Sequence, residues 1–252
     1  MIFLKSKDEI LIMHEANKIL HSILDTVKTY ILPREGTQTL DSVAYSECGN
    51  LGVKPAFLGY KGFPKSLCVS VNHEIVHGIP SPDKILQEGD VVSIDFGIEY
   101  KGYFADAART IIVGQAPENV IDLVKNTKLA LYNGIEQMVV GNRLNDISSA
   151  IEKVAKDNKY GNIKKLVGHG IGRALHEDPQ VLNYIDIKSP NIRLQEGLVL
   201  AIEPMFTLGR SDIAVMPDGW TAITVDKSIA CHWELSVAIV DGKPFILGAE
   251  NV

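Results

Sequence analysis

The sequence predicts an α+β fold, a mainly antiparallel sheet with helices on its outer side, assembled from two pseudo-symmetric halves. Three observations carry this. Residues 86–110, LQEGDVVSIDFGIEYKGYFADAART, read as a hairpin: an apolar strand through Val91, Val92 and Ile94 ends in Asp95, a glycine-containing turn spans Tyr100 to Gly102, and a second strand brings up Asp106. The segment LQEGDVVSID (86–95) returns as LQEGLVLAIE (194–203), with an acid closing each copy. The order helix, helix, strands, hairpin then begins again after about residue 115. Duplicated units pack naturally about a pseudo-two-fold axis, which makes Asp95 and Glu203 candidate neighbours.

Each element has its own signal. Ser6 and Glu9 form a capping-box pattern, and Ile10, Met13, Leu20, Ile23, Leu24 and Val27 recur at helical spacing before Pro33. Thr37 is the expected cap of a second helix that ends at Gly49. Residues 55–82, dense in glycine, proline and aromatics, suit a site better than a core, with short strands expected at Leu67–Val71 and Ile75–Val76. Pro117 and Glu118 should open a third helix that stops at Gly141, and Asn145 should cap a fourth. The likeness of EGTQTLDSV (35–43) to VGNRLNDIS (140–148) extends the repeat upstream of the acidic strands. The second half continues through GHGIGRALHEDP (168–179), a strand ending at Glu203, a strand over 220–225 and CHWELSVAIV (231–240). The expectation is one catalytic domain, 1–252, made of halves at about 1–115 and 116–252.

A chain of 252 residues that is 46% hydrophobic can bury a large core. Its net charge of −6 and pI near 5.7 give no basic footprint for specific nucleic-acid binding. Cys48, Cys68 and Cys231 form no CxxC pair and no closed disulfide framework, which fits a reducing cytoplasm. The N-terminus is too soon charged for a signal peptide, and no run approaches a membrane span.

Asp95, Asp106, Glu203 and Glu234 at strand positions, with His169 between two glycines, form a five-ligand constellation. Four carboxylates in one cavity repel one another strongly, whereas two divalent cations neutralise them. Oxygen-rich ligation with one imidazole and no thiolate favours Mn, Fe(II) or Co and leaves Zn open. Ions about 3.5–4 Å apart, with a water held between them as nucleophile, are equipped for hydrolysis. Cys231 and His232 point to opposite faces of a strand and cannot share an ion.

Taken together, VHGIP (76–80), DFG with the later Asp106, GHGIGRALHEDP, IEP (202–204) and the late Glu234 resemble the type I methionine aminopeptidases over essentially the whole chain. The resemblance implies the pita-bread fold, two metals (Co, Mn, Fe(II) or Zn) at its axis, and removal of the initiator methionine from nascent proteins before a small second residue. It carries the metal roles to Asp95, Asp106, His169, Glu203 and Glu234, and the flanking catalytic histidines to His77, on the amide side, and His176, on the carbonyl side. Glu203 becomes the acid/base as well as a ligand. Phe57, Tyr60, Phe63, Cys68 and Trp220 are expected to line the pocket for the first side chain. Phe57 stands where the family often has a small residue, Leu175 where it has an aromatic, Phe63 where it has tyrosine and Leu235 where it has histidine; these departures reshape the slot and leave the metal set intact. The implied form is the minimal bacterial one, monomeric, cytoplasmic, acting on nascent N-termini with at most a transient ribosome contact. Prolidase-like peptidases of the same fold usually carry a further N-terminal domain, and non-enzymatic homologues typically lose ligands that this chain keeps.

Overall fold

In the computed structural model of the chain, which describes residues 2–249, a nine-stranded antiparallel sheet carries four helices on one face. The strands Lys54–Pro55, Val91–Tyr100, Tyr103–Ile112, Glu234–Val240, Val199–Ile202, Gly168–Gly170 and Glu177–Val181 lie side by side in that order. Cys68–Val71 pairs with Val91–Tyr100, and Lys243–Ile246 with Glu234–Val240.

The four helices are α1 (Lys7–Lys28), α2 (Thr37–Leu51), α3 (Glu118–Ile135) and α4 (Leu144–Asp157). At the start of α1 the predicted capping box is present: the Ser6 hydroxyl accepts from the Glu9 N–H, and the Glu9 carboxylate accepts from the Ser6 N–H. Its apolar stripe, Leu20, Ile23, Leu24 and Val27, packs with Leu40 and Ala44 of α2 against Ile94, Phe96 and Ile98 of the sheet. In the second half Leu123, Leu131, Ile147 and Ile151 of α3 and α4 cover Leu200, Ile202, Val237 and Ile239. Each such fully buried side chain is worth about 1.5–3 kcal/mol, and these two clusters fix the helices to one face.

Several helix ends differ from expectation. Gly36, not Thr37, is the N-cap of α2; the Thr37 hydroxyl is taken up by the Ser81 backbone, donating to its carbonyl and accepting from its N–H. The helix runs past Gly49 to Gly52, which holds the left-handed cap conformation at φ 68°. Helix α3 stops at Ile135, short of Gly141. Arg143 rather than Asn145 precedes α4, because the Asn145 N–H is capped from a distant loop by the Asn191 side chain.

The internal repeat is visible as equivalent backbone bonds. Gly89 and Gly197 both sit at positive φ, 88° and 79°. The Gly89 N–H donates to Val113 and that of Gly197 to Ile239, while Leu86 donates to Glu35 and Leu194 to Asn142. Each LQEG copy therefore docks the start of an acidic strand onto the loop before its own half's second helix. The hairpin turn closes at Lys101 and Gly102, both at positive φ, with Tyr100 opposite Tyr103.

Candidate metal centre

One row of residues runs directly across four strands: Cys68 opposite Asp95, Asp95 opposite Ala108, and Ala108 opposite Glu234. Side chains along a strand alternate between faces, so Asp106, two residues before Ala108, points the same way. Asp106 itself lies opposite Gly97, so the two hairpin acids are diagonal neighbours rather than a facing pair. His169 lies opposite Ala201, and Glu203 comes two residues after Ala201, just past its strand's end. By the same alternation Ile94, Phe96, Ala107 and Ile202 go to the helix side. All five predicted metal-ligating positions thus converge on the face that the helices leave free.

The backbone there is pinned by side-chain bonds. Ser236 Oγ donates to the Asp106 carbonyl at 2.9 Å, and Asn183 Nδ2 donates to that of Glu203 at 3.0 Å. His169 Nδ1 meets the Gly170 carbonyl at 2.8 Å, which turns Nε2 toward Glu203 Oε1 at 3.8 Å and Asp106 Oδ2 at 4.0 Å. Gly170 lacks a side chain by necessity, since a Cβ would lie 2.2 Å from the Asp178 carbonyl oxygen.

Nothing positive compensates these acids. Among the described residues no lysine or arginine pairs with Asp95, Asp106, Glu203 or Glu234, and Asp95 Oδ1, Asp106 Oδ1 and Glu234 Oε1 are buried without a hydrogen-bond partner. Burial raises the Asp95 carboxyl to about 7 and the Glu203 carboxyl to about 7. Burial, reinforced by the neighbouring acids, drives Asp106 and Glu234 well above the usual range. Orphaned buried oxygens on three of four clustered carboxylates are a poor way to build a core and a good way to hold divalent cations. Donor atoms of Asp106, His169 and Glu234 lie within 4.8 Å of one another, close enough for one ion. Cys68 faces the same cluster, but burial raises its thiol far above its ordinary value and keeps it protonated.

A cavity of about 160 Å³ opens beside the acids, lined by Phe57, Tyr60, Phe63, Cys68, His77, Leu175, His176 and Trp220 as well as the five residues predicted to ligate metal. Every sequence-predicted site residue is therefore gathered in one place. Larger clefts of about 370 and 580 Å³ lie elsewhere and do not reach the carboxylates. His77 sits at φ 58°, a strained backbone setting for a residue other than glycine, of the kind that persists where a side chain must be aimed. Tyr60 stacks on His176, with its hydroxyl 3.0 Å from Nδ1, and the His176 ring centroid is 4.3 Å from that of His169. Phe63 meets Trp220 edge to face. Burial lowers His77 to about 4; burial and the nearby His169 lower His176 to about 3, so both are neutral near pH 7.

One residue of the centre escaped the sequence reading. His232 is 1% exposed, its Nε2 lies 3.4 Å from Glu203 Oε2, and donor atoms of Glu203, His232 and Glu234 fall within 4.8 Å of one another. The alternation that separates it from Cys231 also places it with Glu234 two residues on, and that spacing was the available signal.

The family model for metallopeptidase family M24 matches residues 12–241. The chain belongs to this family. Within it, the methionine aminopeptidase of Borreliella burgdorferi is 44% identical over 97% of both chains, and that of Clostridium acetobutylicum 42% identical over 98% of both. The crystal structure of methionine aminopeptidase from Thermotoga maritima superposes with a TM-score of 0.96 at 40% identity, covering 99% of this chain and 100% of that one. Prolidase from Pyrococcus furiosus shares the fold, with a TM-score of 0.79 at 24% identity, over 99% of this chain and 66% of its own. The M24 chain described here is a metalloaminopeptidase of the methionine aminopeptidase group with the pita-bread fold, as the motifs implied.

Proposed function

We propose that this metallopeptidase removes the initiator methionine from nascent polypeptides, prefers a small second residue, and works with two divalent ions held by Asp95, Asp106, His169, Glu203 and Glu234. The observation that carries the reading is the narrow cavity at the carboxylates: about 160 Å³, walled by Phe57, Tyr60, Phe63 and Trp220, and far below the ~300–1,000 Å³ of a whole-ligand cleft. Such a slot takes one unbranched side chain, and a thioether gains from the rings of Tyr60, Phe63 and Trp220. We further infer that halves at about 1–115 and 116–252 act as one catalytic domain, since the ligand set draws on both.

Divalent ions, when bound, supply a water of lowered pKa and Lewis-acid polarisation of the scissile carbonyl. The chain's own groups do the rest. With the Tyr60 hydroxyl donating to His176 Nδ1, the neutral ring carries its proton on Nε2 and offers it to the substrate carbonyl and the oxyanion that replaces it. His77, which lines the same cavity, takes the amide side that the family resemblance implies. Glu203, a carboxylate at the cavity wall, can accept a proton from the attacking water and pass it to the leaving amine.

The setting we propose is a monomer in the cytoplasm that meets nascent chains, with at most a transient ribosome contact and no membrane or specific nucleic-acid partner. No helix among the described residues is long and apolar enough to cross a membrane. The deciding assay compares methionine release from Met-Gly-Met-Met with release from X-Pro peptides after separate loading with Mn, Fe(II), Co and Zn. Methionine release is expected; turnover of X-Pro peptides alone would overturn the proposal.

A further inference from the structure

We propose that His232 is a further metal ligand of this centre, giving the second ion an imidazole of its own beside Glu203 and Glu234. The inference rests on the two-ion reading above and concerns a residue that this reading does not use.

The two oxygens of Glu203 face different imidazoles. Oε1 looks to His169 Nε2 at 3.8 Å, and Oε2 looks to His232 Nε2 at 3.4 Å. Two donor triads result, Asp106, His169 and Glu234 on one side and Glu203, His232 and Glu234 on the other, with Glu234 common to both. Within each triad the donor atoms lie no more than 4.8 Å apart, a spacing that one ion at 2.0–2.2 Å from each donor can draw together with small side-chain movements. The centre then has one nitrogen donor per ion.

No hydrogen bond accounts for the His232 ring among the described residues. Both its nitrogens are buried with no hydrogen-bond partner among the described residues, although an imidazole always carries at least one N–H to place. The ring faces the acids, with Nε2 3.4 Å from Glu203 Oε2. Its backbone is held from both sides, since the Thr110 hydroxyl accepts from the His232 N–H and donates to the His232 carbonyl, while sharing a 2.8 Å contact with Ser93. This clamp ties the second half's histidine strand to the first half's acidic hairpin and fixes the direction in which the imidazole points.

Nitrogen ligation at both positions would bias the second site toward Zn, Co and Fe(II) and away from Mn, which favours oxygen. The test is a count of imidazoles. X-ray absorption on protein loaded with two equivalents of Co(II) should fit two imidazole nitrogens per chain, and His232→Gln should fit one. The same substitution should weaken the second Co(II) by roughly 10²-fold in calorimetric titration while weakening Mn less, a loss at the upper end of those seen even for outer groups around a metal. Should the variant fold poorly, histidine-labelled wild-type protein with Co(II) answers alone: two hyperfine-shifted imidazole N–H signals are expected, and one signal overturns the assignment. An unchanged imidazole count and unchanged Co(II) affinity in His232→Gln likewise overturn it, and would leave the ring as a neighbour of Glu203 only. Uptake of a single ion by the wild type would instead remove the two-ion reading, and His232 would still stand or fall on the same imidazole count.

Discussion

His77 and His176 flank the acids without belonging to them, and their neutral rings set what each can contribute. Replacing either by alanine should leave metal content unchanged and lower kcat by about 10²–10³, the usual size for one lost donor to the developing oxyanion or proton relay. A structural role would instead lower the thermal midpoint with turnover of the folded fraction intact, so melts beside kinetics separate the two. Phe57 bears on selectivity. Its Cε1 would lie 2.8 Å from a Cβ at Gly97, so the ring lies over a glycine opposite Asp106 and enters the slot, while the smaller Leu175 returns volume from another wall. Phe57→Cys should therefore change KM for methionyl peptides more than kcat, because the contact is the same in ground and transition states. Kinetics on Met-, Leu- and norleucine-peptides would show it, and an unchanged KM for all three would exclude Phe57 from the slot.

At the scale of elements, most of the fold was legible because local signals and global pattern agreed. The α1 capping box, the hairpin turn and the repeated LQEG segment were each written in adjacent residues. Ser6→Ala should lower stability by about 0.5–2 kcal/mol, a few degrees of thermal midpoint for a chain of this size, with kcat unchanged. The helix caps that were misread depend on distant partners: Ser81 occupies the Thr37 hydroxyl, and Asn191 supplies the cap at Asn145. No local pattern encodes such contacts. The acids of the site could be named because carboxylates on apolar strands are conspicuous. His232 escapes a reading that sets it only against the adjacent Cys231, which points to the opposite face, and not against Glu234 two residues on.

Across the whole molecule, the proposed ligands come from both proposed halves: Asp95 and Asp106 from one, His169, Glu203 and Glu234 from the other. Without metal, four buried carboxyl groups meet at the seam. Asp95 and Glu203, at about 7 in the fold against the ordinary 3.8 and 4.5, hold protons that the unfolded chain releases first. Below about pH 6.5 this is opposed by His77 and His176, which stay neutral in the fold and take up protons on unfolding, so the stability of the metal-free protein should fall as pH rises above about 6.5, where only the carboxyls still titrate. Urea melts of metal-free protein at pH 6.5 and 8 should show the lower midpoint at pH 8. Divalent ions displace those protons and should flatten the dependence; equal metal-free midpoints at the two pH values would contradict the burial-driven shifts.

Ala108 stands between Asp95 and Glu234 where the strands of the two halves join, so any ion gripped from both sides also closes that seam. Loading then counts toward folding by mass action, and the unfilled chain is the form that opens more often. Susceptibility to proteolysis follows the population of opened molecules when opening and closing are fast. Chelated protein should accordingly be cut sooner by a nonspecific protease than loaded protein at the same pH. In a cell short of metal, this enzyme would be thinned out by degradation before idle copies could accumulate.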